Sequence, residues 1–177
     1  MIHRCLKISR LAAAAVFAIA LAQPAMAGGG RSLPELALVD GAGLAVDSAS
    51  LHQSVRWVLV VLDAGMGSSQ SLVNTLARHQ EGYAQRLVIV VGGAGAQAFI
   101  ETNRKLPGIR WLMDPERGAG PALGLKATPV VLALDENSRI AWQLAGQPKR
   151  GPLAPMVAQW LQLAPVAMPE STAVAPK

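Results

Sequence analysis

The residues of this chain with the types and spacing to do chemistry gather mainly in one stretch, 57–77. Trp57-Val58-Leu59-Val60-Val61-Leu62 is a continuous apolar, β-branched run, the pattern of a strand buried on both faces in the centre of an α/β sheet. Asp63–Gly67 breaks it with glycines at 65 and 67, and Ser68 and Ser69 follow. Leu72, Val73, Leu76 and Ala77 then repeat at helical spacing, so a helix is expected there. Strand, loop and helix start would present polar groups at the carboxyl edge of a sheet, where α/β proteins place their chemistry. A serine nucleophile there would need an adjacent base. His52 and His79 are the only histidines after residue 27, and nothing in the sequence ties either to this loop. The glycines do not form a G-x-S-x-G elbow around Ser68 or Ser69. The free N–H groups of a helix start favour an anion, a backbone carbonyl or a capping hydroxyl. The simplest use of Ser68 or Ser69 is as that cap.

Two other places invite a functional reading. Thr128-Pro129 leads directly into the apolar run Val130–Leu134. Proline adds no N–H to a ladder, so its place at a strand start needs a reason. One reason is a turn that the fold requires; another is a backbone edge held open for an extended peptide. Gly93-x-Gly95-x-x-Ala98 follows a second apolar run, Leu87–Val91, with Asp114 further on. That spacing imitates the dinucleotide fingerprint. Reading Leu87–Val91 as the first Rossmann strand leaves too little chain for that fold. Metal ligation has less support still, because His52 and His79 have no cysteine or acidic cluster beside them.

The elements that must position these residues follow in order. Gly28–Ser32 reads as a flexible entry. Asp40-Gly41 between Leu36–Val39 and Leu44–Val46 signals a hairpin. Strands are expected near 58–62, 87–91, 110–113, 130–134 and 140–144, the last as an edge strand. A helix is expected over 97–105, with Ala98, Phe99 and Ile100 inward, and weak helical turns within 116–124. The last helix is expected over 153–163, with Met156, Val157, Trp160 and Leu161 on one face. Trp57, Trp111 and Trp142, with Trp160, read as core or sheet-face residues. Trp142, on the expected edge strand, is the one placed to meet a partner.

The strand–loop–helix unit resembles the active-site segment of thioredoxin-fold proteins of the periplasmic TlpA/ResA type. In that group the first of two cysteines stands five residues after the strand and the second three residues later. With Leu62 as the strand end, the pair falls on Gly67 and Gln70. Leu72, Val73 and Leu76 then occupy the group's apolar positions. A shift by one residue selects Ser68 and Ser71, with a poorer apolar fit. Neither register contains cysteine. The likeness extends to Leu33-Pro34-Glu35-Leu36 and the following Asp40–Gly43 turn, which is similar to the group's N-terminal hairpin. It extends also to Gly124–Asp135, which is similar to its Gly-Thr-Pro segment, and to Gly146. The resemblance implies a thioredoxin-like α/β three-layer sandwich, with a mixed central sheet flanked by helices and an N-terminal β-hairpin. It also implies a cis bond at Thr128–Pro129, facing the degenerate loop Gly67, Ser68, Ser69, Gln70.

Composition bounds the rest. The chain has 177 residues and suits one domain. Residues 1–27 read as a secretory signal: a basic start (Arg4, Lys7, Arg10), a short apolar core (Leu11–Leu21) and a small-residue cleavage site, Ala25-Met26-Ala27. That core is shorter than the roughly 20 residues needed to span a bilayer. Three of the 16 basic residues lie in this signal, which leaves 13 against 11 acidic and a net charge of +2. Nothing there calls for nucleic acid. The one cysteine, Cys5, lies in the signal, so a processed chain could perform no thiol exchange. The expected organisation is a signal (1–27), a thioredoxin-like domain (28–163) and a Pro/Ala-rich tail (164–177). The expected role is that of a periplasmic, redox-inactive protein that binds an envelope protein or an extended peptide. It needs no cofactor and no metal, and meets the membrane only through its signal. Oxidoreductase ancestry with lost activity, and nucleotide or other non-thiol chemistry at these loops, are the alternatives.

Overall fold

The computed structural model describes residues 30–51, 53–77, 83, 85–146 and 153–163. Its strands are β1 (Arg31–Ser32), β2 (Ala37–Val39), β3 (Ala45–Asp47), β4 (Trp57–Asp63), β5 (Leu87–Gly92), β6 (Ile109–Asp114), β7 (Val130–Leu134) and β8 (Arg139–Ala145). They form one sheet in the order β1-β8-β7-β4-β5-β6-β2-β3. β4, β5 and β6 run parallel, whereas β7 runs antiparallel to both β4 and β8. The helices are α1 (Gly67–Leu76), α2 (Ala96–Asn103), α3 (Ala119–Ala122) and α4 (Leu153–Trp160), with a 3-10 turn at Ser48–Leu51.

Successive side chains of a strand point to opposite faces, and both faces of this sheet are covered. Val58, Val60 and Leu62 of β4 join Leu87, Ile89 and Val91 of β5 under α1, α2 and α4, which contribute Leu72, Leu76, Ile100, Leu153 and Val157. Trp57, Leu59 and Val61 face the other way with Val88 and Val90. There Leu36, Leu38, Leu51, Ala119 and Leu123 cover them. A strand buried on both sides has no polar face to show, which is why β4, β5 and β7 read as unbroken apolar runs. Burying each such side chain is worth about 1.5–3 kcal/mol. The same interior holds Tyr83, whose hydroxyl donates to the Leu76 carbonyl (2.8 Å). Burial pushes its phenol above the ordinary pKa.

The sequence expectations differ from this structure at several points. Within the expected flexible entry, Arg31–Ser32 is a strand paired with β8. β8 is therefore an edge strand only beyond Ile140, where its outer side has no neighbour among the described residues. In α2 the buried residues are Ala96, Ile100 and Asn103, while Ala98 is exposed. Trp142 is not open to a partner: it is 7% exposed, with Trp160 of α4 edge-on at 6.2 Å. The helix on that face covers what an edge position alone would expose. The signal, the tail, Cys5, His52 and His79 lie outside the described residues.

Candidate functional site

β4 delivers Asp63 to the carboxyl edge of the sheet. Its carboxylate accepts the Gly65 N–H (2.9 Å) and meets the Arg117 guanidinium at 3.5 Å. The Met66 N–H returns to the Asp63 carbonyl (3.1 Å), and α1 starts at the next residue. Met66 holds the N-cap position in an extended conformation with no side-chain capping bond. Gly67 opens the helix beside free space: a Cβ added there would meet nothing within 4 Å.

The three residues after Gly67 have separate fates. Ser68 is half-buried. Ser69 is fully buried, and its hydroxyl donates to the Asp63 carbonyl (2.7 Å) and accepts the Asp63 N–H (3.3 Å). It ties the first helical turn back to the strand, so it is not the expected cap, and its hydroxyl is already committed. Gln70 forms a reciprocal amide pair with buried Asn103 at the end of α2. Gln70 Nε2 donates to Asn103 Oδ1 (3.0 Å), and Asn103 Nδ2 donates to Gln70 Oε1 (3.1 Å). Gln70 Nε2 also reaches Asn74 Oδ1 (3.0 Å), and Asn103 Nδ2 the Phe99 carbonyl (2.9 Å).

Across this loop stands Thr128-Pro129, joined by a cis bond. The Thr128 hydroxyl lies 3.3 Å from Met66 Sδ, so the turn before β7 and the residue before Gly67 are in contact. Met66 is 43% exposed, one of three large apolar side chains left open among the described residues. The neighbouring strand ends are closed. Gly93 has a left-handed φ of +90°, and a Cβ there would come within 2.7 Å of Arg117 and 2.8 Å of Asp63. Gly93 thus lies directly under that ion pair. Asp114 accepts the Gly118 N–H on one oxygen (2.9 Å) and the Ala119 N–H on the other (2.8 Å). Gly93 and Asp114, two of the residues that imitate a dinucleotide fingerprint, are spent on these internal contacts. Among the described residues, no three His, Cys, Asp or Glu side chains group as metal ligands.

Sequence reasoning missed Asp63, Arg117 and Asn103. Asn103 carried a usable signal: it follows Ile100 by three and Ala96 by seven, so it lies on the buried stripe of α2. A polar residue on such a stripe requires a partner.

A mixed sheet with a strand–loop–helix unit at its centre and helices packed on its faces is a thioredoxin-like fold. It is similar to a putative thiol:disulfide interchange protein DsbE from Chlorobium tepidum, with TM-score 0.60 and 19% identity over 75% of this chain and 94% of that one. It is similar also to a thio-disulfide isomerase from Thermus thermophilus, with TM-score 0.56 and 19% identity over 77% of this chain and 98% of that one. StoA from Bacillus subtilis gives TM-score 0.53 and 11% identity over 72% and 96% of the respective chains. At these identities the likeness is one of fold. No protein-family model and no curated protein matches the sequence.

Proposed function

We propose that this chain is an exported, redox-inactive thioredoxin-like domain that binds an envelope protein through an extended segment laid against the Gly67–Gln70 loop and the Thr128-Pro129 turn. The observation that carries this reading is the state of Gln70. In the register of the resemblance it stands where an oxidoreductase holds its second cysteine, and here its amide is fixed to Asn103 on both sides. The chain's one cysteine is Cys5, far from the loop in sequence. A single thiol cannot cycle between dithiol and disulfide within one chain. The start of α1 supports the binding half of the proposal, since no side chain caps it. Its leading N–H groups favour a carbonyl oxygen, and exposed Met66 supplies apolar surface beside them. Descent from a thiol-disulfide oxidoreductase is the second reading, favoured by the neighbours of like fold. It accounts for the same loop with its activity lost.

Insulin reduction tests the redox half: the purified chain is expected to give no turnover above the uncatalysed rate, and turnover would overturn the reading. The double variant Gly67→Cys with Gln70→Cys tests the register. Residues three apart on a helix lie close enough for a bridge, which needs Cα atoms within about 7 Å. The oxidised variant is expected to lose reactivity toward a thiol probe at both new positions. Full reactivity would show that the loop has been misaligned. For the binding half, capture of a periplasmic partner should fall when Met66→Asp places a charge beside the helix start.

A further inference from the structure

Met66 is exposed and stands at the N-cap of α1. The other two methionines among the described residues are better covered: Met113 of β6 packs against the core, and Met156 of α4 is half-buried. We propose that Met66 is a site of reversible oxidation, where a peroxide converts the thioether to methionine sulfoxide and the new oxygen takes the open N–H groups at the start of α1. Under the binding reading above, on which this last step alone rests, the oxidised chain is closed to its segment.

The covalent step needs only access of a small oxidant to Sδ. A sulfur lone pair attacks one oxygen of hydrogen peroxide, and the O–O bond breaks. The proton on the transferred oxygen passes to the departing hydroxide, which leaves as water. Sulfur loses two electrons and the peroxide gains them. A methionine sulfoxide reductase reverses the change with two electrons from thiols, so the state is not a dead end.

Two groups already present suit the product. The Thr128 hydroxyl lies 3.3 Å from Sδ. A thioether is a weak acceptor, so this O–H has a poor partner before oxidation and a strong one after it. The bond keeps the sulfur between the start of α1 and the Thr128-Pro129 turn. The second group is the helix start. Serine, threonine, asparagine or aspartate at an N-cap supplies a side-chain oxygen permanently. Met66 has the extended N-cap backbone but makes no side-chain capping bond. The Ser69 N–H donates to the Met66 carbonyl (2.9 Å), which leaves those of Gly67 and Ser68 ahead of it. A sulfoxide sets an acceptor beside them that methionine lacks. It also turns an open apolar side chain polar.

The chain recovered from its expressing cells, with whatever N-terminal processing it has undergone, is treated with graded hydrogen peroxide and mapped by peptide mass. Met66 is expected to gain one oxygen several-fold faster than Met113 or Met156. Equal rates at the three would overturn the proposal. Amide hydrogen exchange at Gly67 and Ser68 reads the cap. It is expected to slow several-fold on oxidation and to recover after treatment with the reductase and a thiol. Met66→Leu keeps the apolar surface and removes the sulfur, and its exchange at these two amides is expected to ignore peroxide. Exchange unchanged in the oxidised wild type, or slowed equally in Met66→Leu, overturns the switch. None of these readouts uses a partner, so a chain that is oxidised and capped as stated but captures no envelope protein counts against the binding reading alone.

Discussion

Strands β4 and β6 both end on an aspartate at the carboxyl edge of the sheet, and the two aspartates are used in opposite ways. Asp114 is 2% exposed and gives one oxygen to each of two backbone N–H groups at the start of α3. Asp63 spends its carboxylate on the loop N–H of Gly65 and on Arg117, a pair whose side chains are 25% and 61% exposed. It leaves the start of α1 without a side-chain acceptor. The chain can close a helix start, and does so at the four-residue α3. α1 and α2 both start without a side-chain cap, and of these two α1 starts beside Met66 and the Thr128-Pro129 turn.

The largest test of this contrast is Asp114→Ala. It strands the buried Ala119 N–H and the part-buried Gly118 N–H, and is expected to cost about 2–3 kcal/mol, read as a lower denaturation midpoint. Asp114→Asn keeps one acceptor oxygen and should recover part of the loss. Next comes Ser69→Ala, which cuts both ties between α1 and β4. A loss of about 1–2 kcal/mol is expected. A neutral result would mean that the open loop is not held in place by this hydroxyl. Gln70→Ala leaves the Asn103 amide without its partner and should cost about 1 kcal/mol. A double-mutant cycle with Asn103→Ala should show coupling, since the two amides touch. The smallest effect belongs to Asp63→Asn. The bridge to exposed Arg117 is worth less than about 1 kcal/mol and should fade in salt. If it instead costs as much as Asp114→Ala, the contrast between the two aspartates collapses.

Much of the scaffold was legible in the residues. The β-branched runs of β4, β5 and β7 announce strands buried on both faces, and Asp40-Gly41 announces the hairpin of β2 and β3. What stayed hidden depends on partners distant in sequence. β1 is two polar residues, and only Ile140 and Arg139 make it a strand. Trp142 looks open until α4 lays Trp160 across it. Ser69 has the residue type and place of a cap, yet the return of the chain to Asp63 offers its hydroxyl a carbonyl and an N–H at once. The loop could be located from strand, glycines and helix. The engagement of Gln70 with Asn103 could not, because it forms only when α1 and α2 pack side by side on one face.

The sheet order has a consequence in time. The first strand, β1, and the next two, β2 and β3, sit at opposite edges of the same sheet. Arg31 waits for Ile140, and Val39 for Met113. At a synthesis rate of roughly 5–20 residues per second, β1 waits several seconds for β8, and the β2–β3 hairpin for β6. Contacts so far apart in sequence also place folding toward the slow, millisecond-to-second end of the range. β1, the first strand made, is thus the last able to pair, because its partner β8 is the last strand made.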